Sequence, residues 1–257
     1  MLGGSRHAKP DCTYREVWAS KVSDLKMSTS RKIKTEFIWV LLLCSSIVGC
    51  KPEVSTTLYA GDVLEVINGE SELSVPIQMK LPIMSADQCE DDKSKMMPPL
   101  QRYGNNVRFV QCETVSGEMH DFLVTKMDAH IVQKDLYKED QSFGMFGIVV
   151  SKDSNDDITI EFVTTKFTED AVAAIDKQYV MQSVTLDDIS LMVTFNNDTR
   201  SPVFFEIDGS FVNGQPIDAP TRFKLSRREE IEVIPSNVRS RSIVSKGIGR
   251  FGRLIKE

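Results

Sequence analysis

Residues 71–83 constrain the chain more than any other stretch. Leu73, Val75, Ile77, Met79, Leu81 and Ile83 alternate with Ser74, Pro76, Gln78, Lys80 and Pro82. Apolar residues at every second position, over this length, put one buried face on an extended strand and exclude a helix. Two of the intervening residues are proline, which has no N–H to give to a ladder. The strand is therefore expected at a sheet edge along at least part of its length. A strand of this kind needs partners, and the rest of the sequence supplies them. Residues 106–115 and 118–127 read as a hairpin across Ser116-Gly117, and residues 143–151 and 158–165 as a second across the polar run 153–157. Residues 189–195 alternate again. Residues 203–212 return after Asn196-Asn197-Asp198, and Asn213-Gly214 is a tight-turn dipeptide. Residues 222–225 and 230–234 complete the set.

Helical signals are fewer. Residues 61–68 suit one or two turns ending at Gly69. Thr168 reads as the cap of a helix with Glu169 and Asp170 at its positive end, and with Val172, Ile175 and Tyr179 inward. Residues 85–100 read as a polar, acidic connection, with Pro98-Pro99 stopping any helix. Residues 131–141 read as a polar connection between lobes. Strands outnumber helices and neighbours join through hairpins. The expected class is α+β, mostly antiparallel hairpins with one or two short helices and two β-rich lobes meeting near 130–142. No internal repeat of fixed period is present.

The N-terminal region has a different character. Arg31, Lys32 and Lys34 precede an uncharged, mostly apolar run, residues 37–48, which closes on Ile47-Val48-Gly49-Cys50. The run is shorter than the ~20 residues that span a bilayer. A cationic lead, an apolar segment and small residues at the end make an export signal. The ending resembles the lipobox of bacterial lipoproteins. That resemblance implies diacylglycerol on the Cys50 thiol, cleavage before Cys50 and acylation of the new amino group. Two or three acyl chains, at ~0.8 kcal/mol per buried methylene, hold a protein stably on a membrane. Lys51, where an Asp would retain the protein at the inner membrane, points to the outer membrane facing the periplasm. A signal belongs at the extreme N-terminus, yet 30 residues precede Arg31. Met27 offers a second start, so residues 1–26 read as an over-extended upstream segment, 27–49 as the signal helix and 50–235 as the envelope domain.

Charge divides the remainder. Residues 51–221 hold 13 Lys/Arg against 29 Asp/Glu, net −16, and residues 222–257 hold 10 against 4, net +6. An acidic, exported body repels nucleic-acid phosphates, so no nucleic-acid partner is expected. Of the five cysteines, Cys12 lies upstream, Cys44 lies in the signal and Cys50 takes lipid. Cys89 and Cys112 remain as an even pair in an oxidising compartment, which predicts a disulfide. Two free buried thiols are the alternative. The 23-residue separation gives the bond about 3 kcal/mol in the chain-entropy model.

No catalytic residue, metal site or cofactor is predicted. Asp153-x-Asn155-x-Asp157 begins like a calcium loop, but Ile158 and Thr164 stand where Gly and Glu are needed. Glu90-Asp91-Asp92 reads as a solvated face. His120-Asp121 lacks a nucleophile motif to partner it. Two cysteines, with His120 and His130 well separated, lack the usual zinc-ligand spacing.

The C-terminal stretch 236–257 carries the clearest functional hint. Arg239, Arg241, Lys246, Arg250, Arg253 and Lys256 interleave with apolar residues, and Val244, Ile248, Phe251 and Ile255 repeat at helical spacing. A basic amphipathic helix reads as a membrane-surface binder, and its glycines predict that it orders only on a surface. A solubilising tail, or one docked on the acidic body, is the alternative.

Residues 54–83, the pair Cys89-Glu90-Asp91 and Val110-Gln111-Cys112, and the block 191–212 with Asn197-Asp198 and Phe211-Val212-Asn213-Gly214 together resemble an uncharacterised family of lipoproteins carried by phages, prophages and plasmids. The resemblance covers most of 50–238 and brings no established activity with it. The function expected is therefore that of an anchored envelope protein with a binding role, with the lipid bilayer and an unidentified envelope or protein partner as its contacts. Exclusion of competing mobile elements fits that origin. A part of a secretion or conjugation assembly, and an envelope hydrolase, are the alternatives.

Overall fold

The computed structural model describes residues 51–83, 85–115, 121–138, 143–178 and 183–256. The signal with Ile47, Val48, Gly49 and Cys50, the turn Ser116-Gly117, His120 and Tyr179 lie outside the described residues. The alternating stretch forms β2 (Glu72–Ile83). Val75, Ile77, Met79, Leu81 and Ile83 are buried. Along its whole length β2 pairs antiparallel with β4 (Asp121–Gln133), from Glu72↔Val132 to Ile83↔Asp121.

On its other side β2 meets β1 (Glu53–Tyr59), but only from Ile77 to Lys80. Pro76 and Pro82 flank this paired stretch. The Thr56 hydroxyl donates to the Pro76 carbonyl at 2.8 Å, so the Pro76 edge faces β1. Pro82, six residues on, faces the same way. The missing N–H groups thus fall where β1 asks for no donor. The strand is an edge in part, as its prolines demand.

From β1 the sheet runs in two directions. One arm continues through β7 (Ser190–Asn196, parallel to β1), β12 (Glu230–Pro235), β9 (Ser210–Val212) and β10 (Gln215–Ile217). The other runs from β2 and β4 into β5 (Phe146–Lys152, parallel to β4), β6 (Ile158–Thr164), β13 (Ile248–Ile255), β8 (Val203–Ile207) and β11 (Thr221–Leu225). β3 (Asn105–Glu113) pairs beside the first part of β4.

The two ends of this order, β10 and β11, are consecutive in the chain. Ile217 and Thr221 are four peptide steps apart, at most ~15 Å. The sheet must therefore curl until its ends meet. Phe195 of β7 and Phe205 of β8, from opposite arms, stack with ring centroids 4.2 Å apart and planes 1° from parallel. One apolar core fills the curl, drawing on residues from Val54 to Leu254.

Among the described residues four α-helices pack on this sheet: α1 (Ala60–Ile67), α2 (Cys89–Tyr103), α3 (Lys166–Asp176) and α4 (Asn237–Lys246). The class is mostly β, with antiparallel pairing dominant and two parallel pairs, β1–β7 and β4–β5.

Several local readings require correction. Pro98-Pro99 does not stop a helix: α2 runs through both and on to Tyr103. Each interior proline costs ~3 kcal/mol, which the burial of Met96, Met97 and Leu100 offsets. Helix α3 starts three residues earlier than expected. Its cap is Thr165, whose hydroxyl accepts from Phe167 N at 3.1 Å, and Thr168 turns back to the Thr165 N–H at 3.2 Å. Residues 203–212 are not one strand: Asp208-Gly209 breaks them, and β8 and β9 join opposite arms. The two-lobe division is absent. β4 continues through 130–133 into a parallel pairing with β5, and residues Cys50–Glu257 form a single compact unit. Asn213 (φ 48°) and Gly214 (φ 78°) make the tight β9–β10 turn that the sequence calls for.

Candidate functional site

The basic C-terminal residues fold as part of the sheet. Ser236 caps α4 by accepting from Arg239 N, and Ser240, Ile243 and Val244 face inward. The helix stops at Gly247, whose φ of 75° suits a left-handed cap. The chain then enters β13, between β6 and β8. This corrects the expectation of a membrane-seeking helix over 236–257. The register of β13 shifts between Arg250 and Gly252, so Phe251 is an extra residue. That bulge breaks the period-two pattern, and the resulting spacing of Ile248, Phe251 and Ile255 imitates a helix. Phe251 is 3 % exposed and packs beside Phe205, so it has no surface role. A Cβ at Gly252 would clash with the tip of the Phe205 ring, so only glycine lets β13 lie this close.

The cations that the sequence singles out meet acids from distant elements. Arg250 Nη2 lies 2.7 Å from Asp208 Oδ2. Arg239 bonds the same carboxylate, and its Nε and Nη2 donate to the Arg250 carbonyl at 3.1 and 2.7 Å. Arg253 Nη2 lies 3.0 Å from Glu206, and Nη1 faces Asp153 and Asp157 at 3.7 and 3.9 Å. Lys256 Nζ pairs with Asp156, and its backbone N–H donates to Asp157 Oδ1 at 3.0 Å. Arg241 reaches Asp187 at 3.3 Å on the surface, and Lys246 is exposed.

The acids respond accordingly. Hydrogen bonds from Lys152 and Lys256 hold Asp156 down to about 2. Burial pushes Glu206 and Asp208 upward, but their arginine partners (Arg222 and Arg253 for Glu206, Arg239 and Arg250 for Asp208) outweigh it, and both carboxyls sit below their ordinary values. The basic C-terminus thus offsets part of the acidic body's charge within one fold. Asp153, Asp156 and Asp157 share one polar run, and Glu206 and Asp208 lie two residues apart where β8 ends, but both groups are far in sequence from the cations they meet.

Cys89 and Cys112 form the expected disulfide, with Cα atoms 6.1 Å apart, tying the start of α2 to β3. Beside it lies a shallow apolar groove of about 280 Å³, lined by Lys93, Ser94, Met97, Pro98, Gln101 and Phe109. Lys93 Nζ sits 4.6 Å over the Phe109 ring.

The other candidate acids take ordinary roles. Glu90 pairs with Lys93 on the exposed first turn of α2. Burial, with Asp91 adding and Lys95 opposing, raises Asp92. Burial, then Asp198 and Glu65, raises Asp62. Asp153 accepts from the N–H groups of Asn155 and Asp157 at 2.8 and 3.1 Å, which makes the calcium-like run a hydrogen-bonded turn. Asp121 accepts from Ala86 N. Among the described residues no three His, Cys, Asp or Glu side chains gather as metal ligands. No described helix is long and apolar enough to cross a membrane.

The N-terminal end of the domain is pinned early. Pro52 is buried, and its carbonyl accepts from Ser190 N at 2.8 Å. Lys51 is exposed. A family model, a domain of unknown function (DUF7424), matches residues 52–256, so the match begins where the backbone is first pinned. No curated protein and no solved structure matches the chain.

Proposed function

The chain belongs to this DUF7424 family of unknown function, and from that premise we propose that it is a non-catalytic lipoprotein of the bacterial envelope, held by acyl chains on Cys50 and acting by binding another macromolecule. One observation carries the reading. The compact unit runs Cys50–Glu257, and among its described residues the first pinned is Pro52. Cleavage between Gly49 and Cys50, as the lipobox directs, would release the whole fold and nothing more. The Cys89–Cys112 disulfide suits the oxidising side of the membrane.

Metabolic labelling with a palmitate analogue tests the anchor. The wild-type chain should take up label and sediment with membranes, and Cys50→Ser should lose both properties. An unlabelled wild-type chain in the soluble fraction would falsify the reading. The biological role tested first is exclusion of competing phage or plasmids, in keeping with the resemblance to lipoproteins of mobile elements. Cells making the wild type should resist adsorption or DNA uptake, and cells making Cys50→Ser should not. Equal protection from both removes the anchored-exclusion role.

A further inference from the structure

Only Lys51 separates Cys50 from the pinned Pro52. Two peptide steps span at most ~7 Å. A lipid on Cys50 would therefore leave the domain no linker on which to swing, and the end of the sheet at Pro52 would have to sit on the bilayer.

The registers identify what else lies at that end. Thr56 of β1 is level with Val193 of β7, which is level with Val233 of β12. Two residues further toward the anchor, Val54 is level with Leu191, and β12 runs on in the same direction to its last residue, Pro235. α4 begins at Asn237, just past it. β12 is two strands from β1, about 10 Å across the sheet. The N-terminus of α4 thus lies at the same end of the sheet as Pro52, and Arg241 of α4 reaches Asp187, just before β7.

That helix presents Val238, Arg241 and Ser245 outward at i, i+3 and i+7, opposite its buried Ser240, Ile243 and Val244. Val238 is 83 % exposed, while the other exposed large hydrophobics among the described residues, Tyr59, Val110, Leu136 and Phe167, lie between 38 and 46 %. Exposed Lys51 flanks this end, exposed Lys246 lies at the other end of α4, and Asp187 offsets Arg241.

We propose that this end, with Val238 at its tip, is a second membrane contact. It rests directly on the bilayer surface, with Val238 entering the boundary between headgroups and acyl chains. The inference builds on the lipid-anchor reading. It also fixes the orientation of the domain: β1 rises ~20 Å from Glu53 to Tyr59, and the β11–β12 turn with Arg227 stands at the far end, where Glu230 is level with Asn196 and Tyr59.

The sequence permits a clean test. Both tryptophans, Trp18 and Trp39, precede Cys50, so the processed chain would have none. Acylated Val238→Trp and Arg227→Trp proteins are purified from membranes and placed in vesicles of phosphatidylethanolamine and phosphatidylglycerol with brominated acyl chains. Indole emission from the Val238→Trp protein should fall by about half, as expected for a side chain ~5–10 Å into the interface, and emission from the Arg227→Trp protein should hold. Flotation of both variants with equal quenching, or with none, overturns the membrane contact and leaves the anchor standing. Failure of both proteins to float overturns the anchor and the contact together, and failure of the Val238→Trp protein alone overturns the contact.

Discussion

β2 and β13 both lie inside the sheet, yet they are specified by opposite means. β2 repeats an apolar residue at every second position, and the loss of water from that face alone decides its register. β13 (Ile248–Ile255) contains two glycines, two arginines and a bulge. Its place between β6 and β8 depends on a glycine thin enough to pass Phe205 and on acids 42 to 100 residues away in sequence. A strand can thus be written into its own residues or into those of its neighbours. Only the first kind announces itself locally.

The contrast predicts distinct failures. Leu81→Ala, at a position with no exposure, should cost about 3 kcal/mol from lost transfer energy and a residual cavity. The urea midpoint would fall equally at low and high salt. A loss below about 1 kcal/mol would mean that β2 is not held by its buried face. Gly252→Ala should cost about 2 kcal/mol through overpacking against Phe205, despite adding a single methyl. If its urea midpoint matched the wild type, β13 would not lie so close to Phe205.

Asp208→Asn should cost about 1 kcal/mol at neutral pH, a modest figure because the carboxylate is a quarter exposed and screened. Its loss should shrink in high salt, unlike the other two. The folded-state carboxyls of Asp156, Glu206 and Asp208 are depressed. Their contribution is present above the unfolded values of 3.8 to 4.5 and disappears as pH falls toward the folded ones, down to about 2 for Asp156. Acid titration of wild-type stability should steepen across that window, and Asp208→Asn should flatten it. An unchanged slope would assign the acid response to other carboxyls.

These cases also mark what the sequence made legible. Period two in β2, the β5–β6 hairpin and the Asn213-Gly214 turn were readable because their causes lie within a few residues. Cys89 and Cys112 were readable because assigning the other three cysteines left one pair. The course of α2 through Pro98-Pro99 was not, because Met96, Met97 and Leu100 find their burial against distant elements. Nor was the break at Asp208-Gly209, which matters only once the sheet curls. The six cations of the C-terminus were visible as a group, but the acids they meet sit in separate short runs far away in sequence, 153–157, Asp187 and 206–208. A helical spacing created by one bulged residue then pointed to a surface role in place of an interior one.

The position of β13 also makes one strand the seam of the curled sheet. β13 alone joins β6 to β8 among the described residues. Its removal would leave two facing backbone edges with no third strand to satisfy them, open to proteases and to one another. One cut in α4 would therefore unzip the sheet on both sides at once.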